Sequence, residues 1–193
     1  MATMLHQKLA LQIAISAQLS RGIHNDCPPI HILGGVGTGK TKYLEWLSQY
    51  YVSNFIGLSA SQIIPEFISG IPYADLAEGV ARLLPADLLL DAINADAGDA
   101  IVLLDEMADA PPMVQSAFHR LLTHGEAGST KLAKRTAFVA ASNPPEISTT
   151  GGATSQAVTT RCCTVVWQDD PQDFALNVSQ YGATGWSQDS API

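Results

Sequence analysis

Eight consecutive residues, Gly34-Gly35-Val36-Gly37-Thr38-Gly39-Lys40-Thr41, fit the pattern G-x-x-x-x-G-K-[ST] at every fixed position. Glycines let successive backbone N–H groups face phosphate oxygens, and a helix that starts directly afterwards adds the positive end of its dipole. In such a loop Lys40 would reach the β- and γ-phosphates and Thr41 would hold magnesium, so residues 34–41 form the candidate binding set. A chance match to the four fixed positions is expected in roughly one chain of this length in a hundred. A second pattern is the apolar run Ile101-Val102-Leu103-Leu104, which ends in Asp105-Glu106. Carboxylates at the C-terminal end of a buried strand face the crevice in which α/β sheets bind ligands. There Asp105 would support the metal and Glu106 would accept a proton from attacking water. Taken alone, the run also fits a strand that merely ends in solvated acids. A third strand-like run, Phe138–Ser142, leads to Asn143 before Pro144-Pro145. The Asn143 amide could orient that water, and an Asn turn before proline is the competing reading.

These groups need strand ends and a helix start to hold them. Ile30–Leu33, after Pro28-Pro29, reads as a strand, and Thr41–Tyr51 has helical spacing at Tyr43, Leu44 and Leu47. Further strands are expected at Phe55–Leu58, Ile101–Leu104, Thr136–Ala141 and Cys163–Trp167. Helices are expected over 4–20, where Leu5, Leu9 and Ile13 share a face, over 62–69 with an interruption at Pro65, and over 86–94. Another starts at Pro111-Pro112 and carries an apolar stripe of Met113, Val114, Ala117, Phe118 and Leu121 through Leu122. Residues 147–156 are rich in Gly, Ser and Thr and read as a surface loop. Strands alternating with helices favour an α/β layer fold around a mainly parallel sheet.

The chain has 193 residues, 47% of them apolar, enough for the core of one globular domain. Its net charge of −8 argues against a generally basic nucleic-acid surface or a polybasic membrane anchor. The charge is uneven: residues 54–128 sum to −9, and neither Lys nor Arg follows Arg161. No apolar run is long enough to span a bilayer, since Gln12, Ser16 and Gln18 interrupt the most hydrophobic stretch. Cys27, Cys162 and Cys163 are too few and too badly spaced for a disulfide framework or a metal knuckle, which suits a reducing, cytoplasmic compartment. His6, His24, His31, His119 and His124 lack paired metal-ligand spacing.

Together these motifs resemble an AAA+ ATPase of the MoxR-type group, over roughly residues 5–175. Residues 34–41 resemble Walker A, Leu103-Leu104-Asp105-Glu106 resembles Walker B, and Ala110-Pro111-Pro112-Met113-Val114-Gln115-Ser116-Ala117 is similar to the helix that follows Walker B there. Asn143-Pro144-Pro145-Glu146 is similar to the sensor 1 segment, and Gly70-Ile71-Pro72 with Gly79-Val80 to the segment between the second strand and Walker B. The resemblance implies a three-layer P-loop fold whose five-stranded parallel sheet has the order 5-1-4-3-2. It also implies an oligomeric ring, expected as a hexamer, with ATP and Mg2+ bound at subunit interfaces and an arginine supplied in trans. Arg161, in Ala157-Val158-Thr159-Thr160-Arg161, occupies the place of that arginine, with Cys162 where the family carries Phe; Arg120 is the next candidate. The family continues into a helical lid with a sensor 2 arginine. Here residues 1–178 are expected to form the core and 179–193 an irregular tail in place of a full lid.

The implied activity is ATP hydrolysis, with Glu106, Asn143, Arg161 and Lys40 as catalytic residues and Thr41 and Asp105 at the metal, driving the remodelling of a protein client or a von Willebrand A domain partner. Three other readings share these motifs: a nucleotide-dependent switch with little hydrolysis, a DNA-associated loader, and a small P-loop kinase. The acidic balance disfavours the loader. Asp105-Glu106 followed by Asn143 suits water activation better than phosphoryl acceptance by a small molecule.

Overall fold

Strands buried on both faces read as near-continuous apolar runs, and two segments have that character between polar ends: AIVLLD at 100–105 and TAFVAAS at 136–142. They lie at the centre of the molecule. The computed structural model describes residues 2–21, 27–51, 53–84, 86–89, 92, 99–133, 135–148 and 154–168.

The central sheet is formed by β1 (Ile30–Gly34), β2 (Asn54–Ser59), β5 (Ala100–Asp105), β8 (Thr136–Ser142) and β9 (Cys163–Trp167), in the order β2-β5-β8-β1-β9. Every pairing in it is parallel. Two antiparallel hairpins stand apart, β3 (Ile71–Asp75) with β4 (Val80–Leu84), and β6 (Glu126–Ala127) with β7 (Thr130–Lys131). These hairpins were not anticipated, so the strand labels differ from the expected 5-1-4-3-2. Counted within the sheet alone, the five strands run second, third, fourth, first, fifth from the β2 edge.

Alternation along the strands divides the core into two layers. On one face Ile30, Ile32, Ile101, Leu103 and Val139 pack with α1 (Ala2–Arg21) and α2 (Lys40–Tyr50). On the other, Val102, Leu104 and Phe138 pack with Ile68 of α3 (Pro65–Ser69) and with Phe118 and Leu121 of α4 (Pro112–His124). Gln18 pins α1 to the sheet: its Oε1 accepts from the Phe138 N–H at 2.6 Å and its Nε2 donates to the Pro28 carbonyl at 3.0 Å. A buried amide thereby satisfies a strand group just beyond the start of the β1 ladder.

The differences from the expected elements have local causes. Pro65 starts α3 rather than interrupting a longer helix, because its missing N–H is no loss in a first turn. α4 runs two residues past Leu122 and ends at Gly125, whose left-handed backbone (φ 60) closes the helix. Gln156, assigned to the loop, instead opens the one-turn α5 (Gln156–Thr159). Of the helix expected over 86–94, the described residues show a 3₁₀ turn at Asp87–Leu89; residues 90, 91, 93 and 94 lie outside the described set. The tail expected at 179–193 also lies outside it. No helix among the described residues is long and apolar enough to cross a membrane.

Gly34 sets how closely β1 and β9 approach. A Cβ there would lie 2.6 Å from the Trp167 carbonyl oxygen and 2.8 Å from the Trp167 Cβ. Gly34→Ala should therefore cost about 1–3 kcal/mol, the range for overpacking a closed site. The check is a lower urea midpoint at an unchanged m value; a midpoint equal to wild type would show that the strands separate freely.

Candidate active site

In a parallel sheet all strand C-termini open on one edge, so loops that follow neighbouring strands meet there. β5, β8 and β1 are consecutive in the sheet and deliver Asp105, Asn143 and the glycine loop to that edge. The loop turns through Gly37 (φ 75) and Gly39 (φ 80), left-handed conformations that side chains resist. Gly39 precedes α2 and offers no side-chain cap, which leaves the first-turn N–H groups of the helix to a ligand or to water. Two contacts brace the loop: Thr38 Oγ1 donates to the Gly35 carbonyl at 3.0 Å, and Trp167 Nε1 donates to the Thr38 carbonyl at 3.0 Å. Val36 is exposed.

Lys40 is buried at the base of this loop. Its Nζ donates to the carbonyls of Gly34 at 2.7 Å and Gly35 at 2.6 Å, and to Asn143 Oδ1 at 3.4 Å. Thr41, one residue on, donates through Oγ1 to Asp105 Oδ2 at 2.9 Å. Thus an ammonium and an amide form one pair, and a hydroxyl and a carboxylate form another, from segments far apart in the chain. The second pair offers two hard oxygen atoms, the donor type magnesium requires. No group of three His, Cys, Asp or Glu side chains gathers among the described residues. A magnesium ion would therefore rely on Thr41 and Asp105 together with water and phosphate oxygens, as this metal commonly does.

Glu106 follows with a left-handed backbone (φ 57), the only described non-glycine residue with positive φ. The Asp105 Oδ1 accepts its N–H at 2.9 Å. Its Oε2 accepts hydrogen bonds from Ser61 Oγ at 2.5 Å and Ser59 Oγ at 2.7 Å, and these hydroxyls lower its pKa from the ordinary carboxylate value. Ser59 and Ser61 were missed by sequence reasoning. The available signal was position: Ser59 ends β2 directly opposite Asp105, one residue beyond the expected strand end at Leu58.

Arg161 is not brought to this cluster. Trp167 lies opposite Gly34 and Cys163 opposite Ile30, so Arg161 belongs to the other end of the sheet, about 20 Å away along β9. It is exposed there, and its charge lowers the pKa of His119 on α4, after the larger effect of burial. Arg120 is ion-paired with Glu126 at 3.1 Å. Within one chain neither arginine belongs to the phosphate loop.

The arrangement can hold a polyphosphate at the loop and a divalent cation at its flank, and it can place a carboxylate and an amide beside the terminal phosphate. No family model matches the chain, and no curated protein matches it.

Proposed function

We propose that this chain is the nucleotide-binding core of an AAA+ ATPase resembling the MoxR group, which binds Mg-ATP and hydrolyses it. The reading is carried by one observation: Lys40 meets Asn143 and Thr41 meets Asp105 at the C-terminal edge of three adjacent parallel strands. When bound, magnesium would supply positive charge that offsets the charge of the phosphates. The residues of the loop bind the polyphosphate through backbone N–H groups, Lys40 neutralises its far end, Thr41 and Asp105 hold the metal, Asn143 orients water and Glu106 takes its proton. Arg161, outside its own site, acts on a neighbour's phosphate in a ring, for which a hexamer is the expected size. The client is a protein, with a von Willebrand A domain partner as the form the resemblance suggests, in the cytoplasm; the net charge of −8 disfavours a nucleic-acid client.

Phosphate release from purified protein with Mg-ATP, measured over a wide protein concentration range beside particle mass, tests this reading. Specific activity should rise as the protein assembles, and Arg161→Ala should lose about a thousandfold in turnover while keeping ATP affinity. Activity independent of assembly and indifferent to Arg161 would remove the ring and the trans arginine. Failure to bind ATP would remove the whole proposal.

A nucleotide-dependent switch with little turnover is the second reading. The specific observation favouring it is that Ser59 and Ser61 engage Glu106, tying the candidate base to the end of β2. Tight Mg-ATP binding without phosphate release at any concentration would select it.

The same serines give a pH prediction for the hydrolytic reading. Hydroxyl donors favour the charged carboxylate, so wild-type Glu106 keeps its base form to lower pH than an ordinary glutamate. In Ser59→Ala/Ser61→Ala its pKa rises, the base form is lost earlier on acidification, and the acidic limb of the kcat profile moves to higher pH. An unmoved acidic limb would mean that another group controls it.

A further inference from the structure

His31 alternates with Ile30 and Ile32 along β1, so its imidazole enters the core layer opposite α1 and α2, where it is 2% exposed. Burial pushes its pKa down to about 4, so the ring is neutral and carries a single N–H. Its Nε2 lies 2.9 Å from Ser142 Oγ, and its Nδ1 has no hydrogen-bond partner. Orphaned buried N–H groups are the rarest of unpaired polar groups, so the proton belongs on Nε2 and the bare lone pair on Nδ1. His31 then donates to Ser142. The Ser142 hydroxyl is left to donate onward to Thr154 Oγ1, 2.7 Å away. The chain has one direction, His31 to Ser142 to Thr154.

The middle and the far end of that chain lead to candidate functional groups. Ser142 immediately precedes Asn143, whose amide oxygen faces Lys40. Thr154 precedes Ser155, whose N–H donates to the buried Gln115 of α4 at 2.7 Å and whose carbonyl accepts from Val158 and Thr159 as α5 begins. Two residues beyond α5 stands Arg161. Thus one buried imidazole fixes the junction between the Asn143 end of β8 and the arm 154–161.

We propose that His31 is a positioning residue that, through Ser142 and Thr154, locks the Asn143 segment to the arm bearing Arg161, so that the nucleotide edge of one subunit and the arginine offered to the next move as one unit. The proposal rests on the ATPase reading for its consequence, whereas the lock itself is testable without turnover. The readouts are backbone amide hydrogen exchange of the full chain and, beside it, kcat and KM for Mg-ATP. In His31→Phe, and in the milder Thr154→Val should the first fold poorly, exchange over 154–161 should speed at least tenfold while that over 100–105 keeps its wild-type rate. Turnover should fall about tenfold at unchanged KM. His31→Gln, which supplies an N–H near the same place, should recover both. Unchanged exchange over 154–161, or a loosening shared equally by 100–105, overturns the lock. A normal kcat despite selective loosening of the arm overturns its role in the reaction. A wild-type protein silent toward ATP, with the selective exchange pattern present, would strike the ATPase reading and leave the lock standing.

Discussion

Lys40→Met should lower Mg-ATP affinity by at least a hundredfold while changing folding stability by no more than about 1 kcal/mol. Methionine keeps the unbranched stem and fills the same buried channel, so packing around α2 is preserved. What disappears is the ammonium, and with it two or more charge-assisted contacts to phosphate worth about 1.5–3 kcal/mol each. Together these exceed the roughly 2.7 kcal/mol that corresponds to a hundredfold in affinity. In the fold the loss of bonds to Gly34, Gly35 and Asn143 is offset by no longer burying a charge. Calorimetric titration with Mg-ATP beside urea unfolding separates the two effects. Affinity within threefold of wild type would show that Lys40 does not face phosphate, and the proposed site would fall with it.

Glu106→Gln should leave Mg-ATP affinity within about threefold and cut turnover by roughly 10²–10⁴, the usual worth of a positioned general base. Glutamine is nearly isosteric, and its amide oxygen can still accept from Ser59 and Ser61, so the side chain keeps its seat. The variant lacks only the capacity to take a proton. Single-turnover phosphate release with enzyme in excess isolates that step from product release. A variant as fast as wild type would exclude Glu106 as the base.

These effects concern residues that were readable in advance because their chemistry is local. The glycine loop, Lys40 and Thr41 are contiguous, and Asp105-Glu106 ends a run so apolar that only a buried central strand explains it. Strand β9 lies at its expected limits, Cys163–Trp167, on a different signal, its β-branched and aromatic residues, since it is an edge strand with Cys163, Thr164 and Val166 exposed. The β3–β4 hairpin left no such mark. Eight of its ten strand residues are exposed and the other two half-buried, Pro72 breaks the pattern of a paired strand, and its charges satisfy one another through Arg82 with Asp75 and Glu78. Strands β6 and β7, two residues each, are too short to carry any periodicity. The bonds from Ser59 and Ser61 to Glu106 span more than forty residues of chain and exist only through the β2–β5 register. That register follows from packing on both sheet faces, which no local pattern encodes. The distance of Arg161 from its own phosphate loop is likewise a property of strand direction in the folded sheet.

The left-handed backbone at Glu106 carries a tension between durability and activity. A glutamate held there costs about 1–2 kcal/mol that a glycine would not incur. Substitution by glycine would thus relieve the backbone while erasing the side chain proposed as the base. Under the proposed reading the carboxylate is kept at the expense of stability, so stabilisation of this fold should spare residue 106 even where a glycine there promises a gain.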